Sequence, residues 1–213
     1  MYMSVIELDQ ANCLMKDSFC QTEEQTHKIL LESLENQSRL NAGLLYRKDK
    51  NKICVYSNNA LNQEKLFLRN YIVQNVVEID DLYNQIQNGD VLKLFIKTVP
   101  SKKVDREGKK NSARIGLTQK SERTAWIERK LLDIGAVVLK DIYDCPLVVE
   151  NGYQSIEFSH SKFQKNKGSA TITARDYIVT VQITDRKAFL NGVKRGIGPY
   201  KSYGCGLILV GAA

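Results

Sequence analysis

Histidine is almost absent from this chain: His27 and His160 are the only two. A multi-histidine metal centre has nothing to be built from. The five cysteines (Cys13, Cys20, Cys54, Cys145 and Cys205) are odd in number and form no CxxC pair. That spacing excludes the usual zinc knuckle and a secreted disulfide framework, and leaves free thiols in a reducing cytoplasm as the expectation. Paired carboxylates for a two-metal centre are lacking too. Glu23 and Glu24 are neighbours on a predicted helix and point ~100° apart, so they do not chelate one ion together. Asp80 and Asp81, on a predicted loop, fare no better. No window approaches the ~20 uninterrupted apolar residues of a membrane helix. The opening MYMSVIELD alternates like a strand and carries no basic leader, so no signal peptide is expected. Neither the GK[ST] ending of a phosphate loop nor the GxGxxG dinucleotide pattern occurs in the C-terminal glycine stretch. No cofactor, metal or membrane is expected.

What is present is enough apolar material for two small cores, 43% of 213 residues, and a net charge of +7. The charge is uneven. Lys and Arg against Asp and Glu give −4 over 1–40, +6 over 101–130, −4 over 131–158 and +7 over 159–213. Two basic zones set between acidic stretches suit a polyanion, although a solvated face has the same composition.

Residues 2–8 read as a strand. Thr22 with Gln25 fits a capping box opening a helix that runs to about Arg39. A hairpin is predicted over 43–57, a short helix and irregular connections over 58–90, and a strand over 91–99 stopped by Pro100. The basic stretch 100–117 reads as a flexible hairpin or loop. A helix over about 119–132, with Ser121 or Thr118 as cap, ends at Gly135. Strands are expected at 136–142, 146–149, 154–159, 170–174 and 177–183, a helix at 185–195, and a last strand in GLILVGA. The order is strand, helix, two strands, helix, strand, twice over. The expected fold is therefore α+β, two tandem ferredoxin-like βαββαβ domains. The expected boundaries are 1–98, a basic linker or hairpin at 99–117, and 118–213.

His27 falls within the first two turns of the predicted helix, with Leu30, Leu31 and Leu34 following on the same face. It reads either as a core-edge histidine or as a general acid or base whose pKa is lowered by burial and by the helix dipole. Lys28 beside it is placed to hold a phosphate. RNA cleavage needs no metal, because the neighbouring 2′-OH can attack the phosphorus if a base, an acid and cations are at hand. The segment SKKVDREGKKNSAR spreads Lys102, Lys103, Arg106, Lys109, Lys110 and Arg114 over almost no core residues. Such a hairpin suits the deep groove of an A-form stem, where charges follow phosphates, or else is a solvated loop. GIGPYKSYGCGLILV (196–210) carries Gly196, Gly198, Gly204 and Gly206 around Lys201 and two tyrosines. Glycine lets backbone amides approach phosphates and Tyr200 or Tyr203 can stack on a base, so a ligand-facing loop is preferred over a tight helix-to-strand connection. His160, among Ser159, Ser161 and Lys162, reads as a surface residue.

The glycine stretch resembles the C-terminal loop of the CasE-type endoribonucleases of the RAMP superfamily, from type I-E CRISPR Cascade complexes. MYMSVIEL, the histidine in TEEQTHKILLESL, and the basic segment leading into KSERTAWIERKLL agree with it. The resemblance implies two ferredoxin-like domains and metal-free cutting of repeat hairpins in precursor crRNA. It implies a 5′-hydroxyl and a 2′,3′-cyclic phosphate as products, retention of the mature crRNA, and other Cascade subunits as partners. It makes His27 the catalytic histidine and 101–114 the RNA-gripping hairpin. Relatives often carry a tyrosine three residues before that histidine; here the position is Glu24. Lys28, a tyrosine from elsewhere, or Glu24 itself is left to assist. A non-cleaving RNA-binding subunit and a basic structural protein are the rival readings.

Neutralising Lys109 and Lys110 should weaken hairpin binding and flatten its log–log salt dependence by up to ~2 units, about one per phosphate contact. Binding measured over a salt series checks this, and an unaltered slope would leave both lysines facing solvent.

Overall fold

The computed structural model describes residues 1–8, 22–35, 37–50, 52–105, 113–159 and 169–212. The expected surface residue His160 and the basic residues Arg106, Lys109 and Lys110 lie outside these, as do Cys13 and Cys20.

The first unit is β1 (Tyr2–Leu8), α1 (Glu23–Ser33), β2 (Leu45–Asp49), β3 (Lys52–Ser57), α2 (Gln63–Phe67) and β4 (Tyr71–Glu78). Its antiparallel sheet has the order β2-β3-β1-β4. A short helix, α3 (Asp80–Asn84), leads to the second unit. There, β5 (Val91–Thr98), α4 (Lys120–Leu132), β8 (Ala136–Val138), β10 (Ser169–Ile183), α5 (Arg186–Arg195) and β11 (Ile208–Ala212) repeat the pattern. The order β11-β5-β10-β8 is the same, with the long strand β9 (Val148–Ser159) added on β10. Between β5 and α4, β6 (Ser101–Val104) and β7 (Ala113–Gly116) pair as a two-stranded hairpin. The fold is α+β, two ferredoxin-like units in tandem, as the element order implied.

The expected boundary at 98 is corrected. Strand 91–98 pairs with β10 and β11 and so opens the second unit. The first is closed by β4, in a stretch expected to be irregular. YIVQNVVE hides its period because it is an edge strand, mostly exposed, whose register against β1 shifts between Val5 and Ile6. The predicted breaks at 150–153 and 175–176 are not breaks. Arg175 opposes Tyr153 and Tyr177 opposes Glu150, so Asn151–Gly152 form a bulge in one continuous strand. Neither Ser121 nor Thr118 caps α4 with its side chain; its N-cap is Gln119, and the Thr118 carbonyl accepts from Arg123.

Alternation on β2 and β3 explains how the units join. Tyr46 and Val55 face α1 and α2, packing with Ile29, Leu30 and Leu66. Leu45 and Tyr56 face the other way, into the larger core formed by Trp126, Ile127, Val179 and Phe189 of the second unit. Both faces of the first sheet are thus buried, and the two units share one apolar core.

Helix α1 starts as expected. Thr22 Oγ1 accepts from Gln25 N at 3.2 Å, and the Gln25 side chain accepts from Thr22 N at 3.3 Å. It ends at Ser33, not Arg39, which leaves Arg39 in the connection to β2. Removing the cap with Thr22→Ala should cost about 1 kcal/mol of stability, as for other N-caps. Urea unfolding of the full chain measures it.

Candidate nucleic-acid interface and active site

The glycine stretch wraps back against α1. After α5 it forms a short 3₁₀ turn, Lys201–Tyr203, that packs on the first turns of α1 and on β2. The Tyr46 hydroxyl lies 2.8 Å from the Glu23 carbonyl and 3.0 Å from the Ser202 carbonyl, joining the two units. Gly204, at φ +72°, leaves room for that contact. A Cβ there would stand 3.1 Å from Glu23 Oε2 and 3.2 Å from the Tyr46 ring. Gly198, at φ +76°, is equally constrained, since a Cβ would overlap Thr98 Oγ1 and stand 3.0 Å from the Trp126 ring. The density of glycine is thus explained by protein packing, not by an approaching ligand. The tight-connection reading accounts for the backbone, while the side chains around it face a groove.

His27 is half-buried, its ring stacked on Tyr46 with centroids 6.2 Å apart and planes 22° apart. Burial holds its pKa below the ordinary value, and the charge of Arg39 adds to the effect. Neutral imidazole is therefore the ground state near pH 7. Nδ1 is enclosed without a hydrogen-bond partner, so exchange of a proton with a substrate falls to Nε2. Lys201, in the 3₁₀ turn, is held low by burial, then by Arg39, Arg195 and Lys130. His27 and Lys201, 174 positions apart in the sequence, thus stand in the field of one guanidinium.

From Lys201 a groove of about 650 Å³ runs between the hairpin, α4 and the glycine loop. Lys102, Lys103 and Arg114 line it from the hairpin, Arg129 and Lys130 from the last turn of α4. Gly196 and Gly198 form its floor with Trp126. Two of these cations are partly neutralised: Lys130 by Asp133 at 2.8 Å and Lys102 by Glu122 at 3.8 Å. The groove remains positive on balance, with Lys103, Arg114, Arg129 and Lys201 outside those pairs, and such a lining suits a phosphate backbone.

Most of the expected binding residues that are described converge here. Lys28 is exposed beside His27, on α1 and not in the groove; Gly204 lies at the seam between units. Tyr200 and Tyr203 are half-buried, their rings 6.4 Å apart, and pack on the small cluster around Cys205. Glu24, the unusual neighbour of His27, acts electrostatically on Tyr203, whose pKa is raised by burial and then by that carboxylate. Sequence reasoning missed Arg39, Tyr46, Arg129 and Lys130. Arg129 and Lys130 look like ordinary dipole partners at a helix C-terminus, and only the hairpin across from them makes a groove.

Glu23 is buried at the same seam. Burial raises its pKa against the opposing pull of Lys48 and Lys97. Lys97, 2% exposed, donates to the Lys48 carbonyl at 3.0 Å and to Gln154 Oε1 at 2.5 Å. Among the described residues, no group of three or more His, Cys, Asp or Glu is disposed to hold a metal ion. No helix among them is long and apolar enough to cross a membrane. Cys54, Cys145 and Cys205 are free thiols.

A family model described as "CRISPR associated protein" matches residues 1–211. The CRISPR system Cascade subunit CasE of Escherichia coli (strain K12) is 28% identical over 143 residues, 64% of this chain. The matched part spans 65% of that curated relative, just under two thirds of its length. Among solved structures, the CRISPR endoribonuclease Cse3 bound to a 19-nucleotide RNA superposes with a TM-score of 0.82 at 21% identity, covering 99% of this chain and 100% of that one. The CRISPR-associated protein Cas6e from Escherichia coli K-12 gives 0.74 at 22% identity, with both chains fully covered. These structural likenesses show the fold.

Gly198→Ala should destabilise the chain by more than the roughly 1–2 kcal/mol of left-handed strain alone, with Thr98→Ala in the same chain recovering part of the loss. The single tryptophan, Trp126, lies against both, so its fluorescence during unfolding reports the change.

Proposed function

Because the chain belongs to the CRISPR-associated protein family, we propose that it is an endoribonuclease cutting the repeat hairpins of precursor crRNA. The observation that carries this reading is one cationic groove running from the hairpin through α4 to Lys201, a lysine that shares the charge of Arg39 with the imidazole of His27. A stem laid in the groove has its phosphates on Lys102, Lys103, Arg114, Arg129 and Lys130. Its base then meets Lys201 and His27. The relatives named for a Cascade subunit and for an RNA-bound endoribonuclease support the same assignment.

The chemistry is transesterification without a metal. The 2′-oxygen attacks the adjacent phosphorus and the bond to the 5′-oxygen breaks, leaving a 2′,3′-cyclic phosphate and a 5′-hydroxyl. One proton leaves the 2′-OH and one reaches the departing oxygen. Nε2 of His27, neutral at rest, is the group that moves them. Lys201 balances charge on the phosphorane. No carboxylate cluster is called on. The product hairpin keeps every phosphate contact in the groove, so the chain stays on the mature crRNA and enters a Cascade complex with it.

His27→Ala, assayed on a labelled cognate repeat hairpin with EDTA present, should lose cleavage by at least ~10³-fold and keep hairpin binding. Wild-type cutting should survive EDTA. Its rate should rise with pH on a limb centred below about 6.5, because a histidine held low is already in its basic form there. Undiminished cutting by His27→Ala removes the imidazole from the reaction. A wild-type chain that binds the hairpin and never cuts it is the non-cleaving subunit.

A further inference from the structure

We propose that Arg39, together with Lys201, forms the pocket that receives the phosphate to be cut, which makes Arg39 a further catalytic residue. This rests on the nuclease reading above, and its test separates the two.

Arg39 lies beyond the end of α1, in the connection to β2, where its Nη1 donates to the Leu44 carbonyl at 3.4 Å. Two residues further on, Tyr46 stacks on His27 and approaches the carbonyl of Ser202, the neighbour of Lys201. One short segment therefore carries both the guanidinium, held at the Leu44 carbonyl, and the ring that touches His27 and the Ser202 carbonyl. Arg39, His27 and Lys201 are all partly buried. Among the described residues, neither Arg39 nor Lys201 has a carboxylate within ion-pair distance, whereas nearby Lys130 has Asp133. The charge of Arg39 lowers the pKa of both His27 and Lys201, with burial the larger cause in each.

Like charges gathered in a half-dry place raise the free energy of the empty site, and an anion offsets it. The groove leading there is lined for a polyphosphate chain, so the anion that arrives is a backbone phosphate. A guanidinium fork meets two non-bridging oxygens at once, which an ammonium does not. As the 2′-oxygen attacks, a further negative charge develops on those oxygens, and Arg39 is already aimed at them. Arg39 then holds the phosphate while His27 moves the protons.

The test uses the full chain in two arms. In the first, Arg39→Gln should slow single-turnover cleavage of the cognate hairpin about 10²-fold. Affinity for a hairpin with a 2′-deoxy nucleotide at the cut site should fall far less than the rate does, since one phosphate contact is lost and the stem contacts in the groove are untouched. Arg39→Lys should fall between, keeping the charge and losing the fork. In the second, inorganic phosphate added to RNA-free protein should raise the His27 titration, followed by the ring proton in NMR. That phosphate-induced rise should shrink in Arg39→Gln and in Lys201→Gln. Arg39→Gln cutting at the wild-type rate, or a phosphate response absent in wild type or unchanged in the variant, overturns the proposal. A wild-type chain that cuts no repeat hairpin, yet shows the Arg39-dependent phosphate response, keeps the anion pocket and removes both its catalytic role and the nuclease reading. Far-UV circular dichroism confirms that each variant is folded.

Discussion

The hydroxyl of Tyr46 sits between two carbonyls that belong to different halves of the molecule, Glu23 on α1 and Ser202 on the glycine loop. A hydroxyl enclosed there is expensive to leave unsatisfied, so it fixes the spacing of the two segments to within a hydrogen bond. Everything at the candidate site depends on that spacing. His27 is stacked on the same ring, and Lys201 is one residue from the second carbonyl. Gly204 is required beside them because any side chain would meet Glu23 and Tyr46. The apolar core beneath, shared through Leu45 and Tyr56, holds the units together; the tyrosine sets their register.

Electrostatics at this seam fall into two kinds. Lys97, buried and satisfied by a carbonyl and a glutamine, is structural: its charge is spread over neutral acceptors, with Glu23 and Asp176 in its field. Arg47 and Asp176, 3.2 Å apart, tie β2 to β10 in the same way. Among the described residues, Arg39 and Lys201 have no carboxylate within ion-pair distance. Burial lowers the pKa of His27, Arg39 and Lys201, and the charge of Arg39 lowers the first and last further. The protein spends some stability there, as binding sites for highly charged ligands do.

Much of this was legible in the chain itself. The capping box of Thr22 and Gln25 placed the start of α1 to the residue, and with it His27, because capping is local chemistry. The doubled element order was legible for the same reason. β4 was not, since an edge strand with Gln74 and Asn75 in its middle shows no alternation, and missing it moved the boundary of the first unit. Asn151–Gly152 fell between two predicted strands and proved a bulge within one, a choice made by the partner strand. The basic hairpin and Lys201 were visible as composition. Arg39, Arg129 and Lys130 were not, because each becomes meaningful only opposite residues brought there by the fold. The glycines pointed to the right place for the wrong reason: they admit Tyr46, Glu23, Thr98 and Trp126, and the groove is a by-product of that packing.

The helix bearing His27 and the turn bearing Lys201 come from separate units, held by a shared apolar core and joined at this seam by one tyrosine hydroxyl. Competence is then a property of the joint, absent from either half taken alone. Anything that grips both halves at once, a long ligand bridging them or a neighbour seated across them, acts on the spacing of these two side chains without touching either.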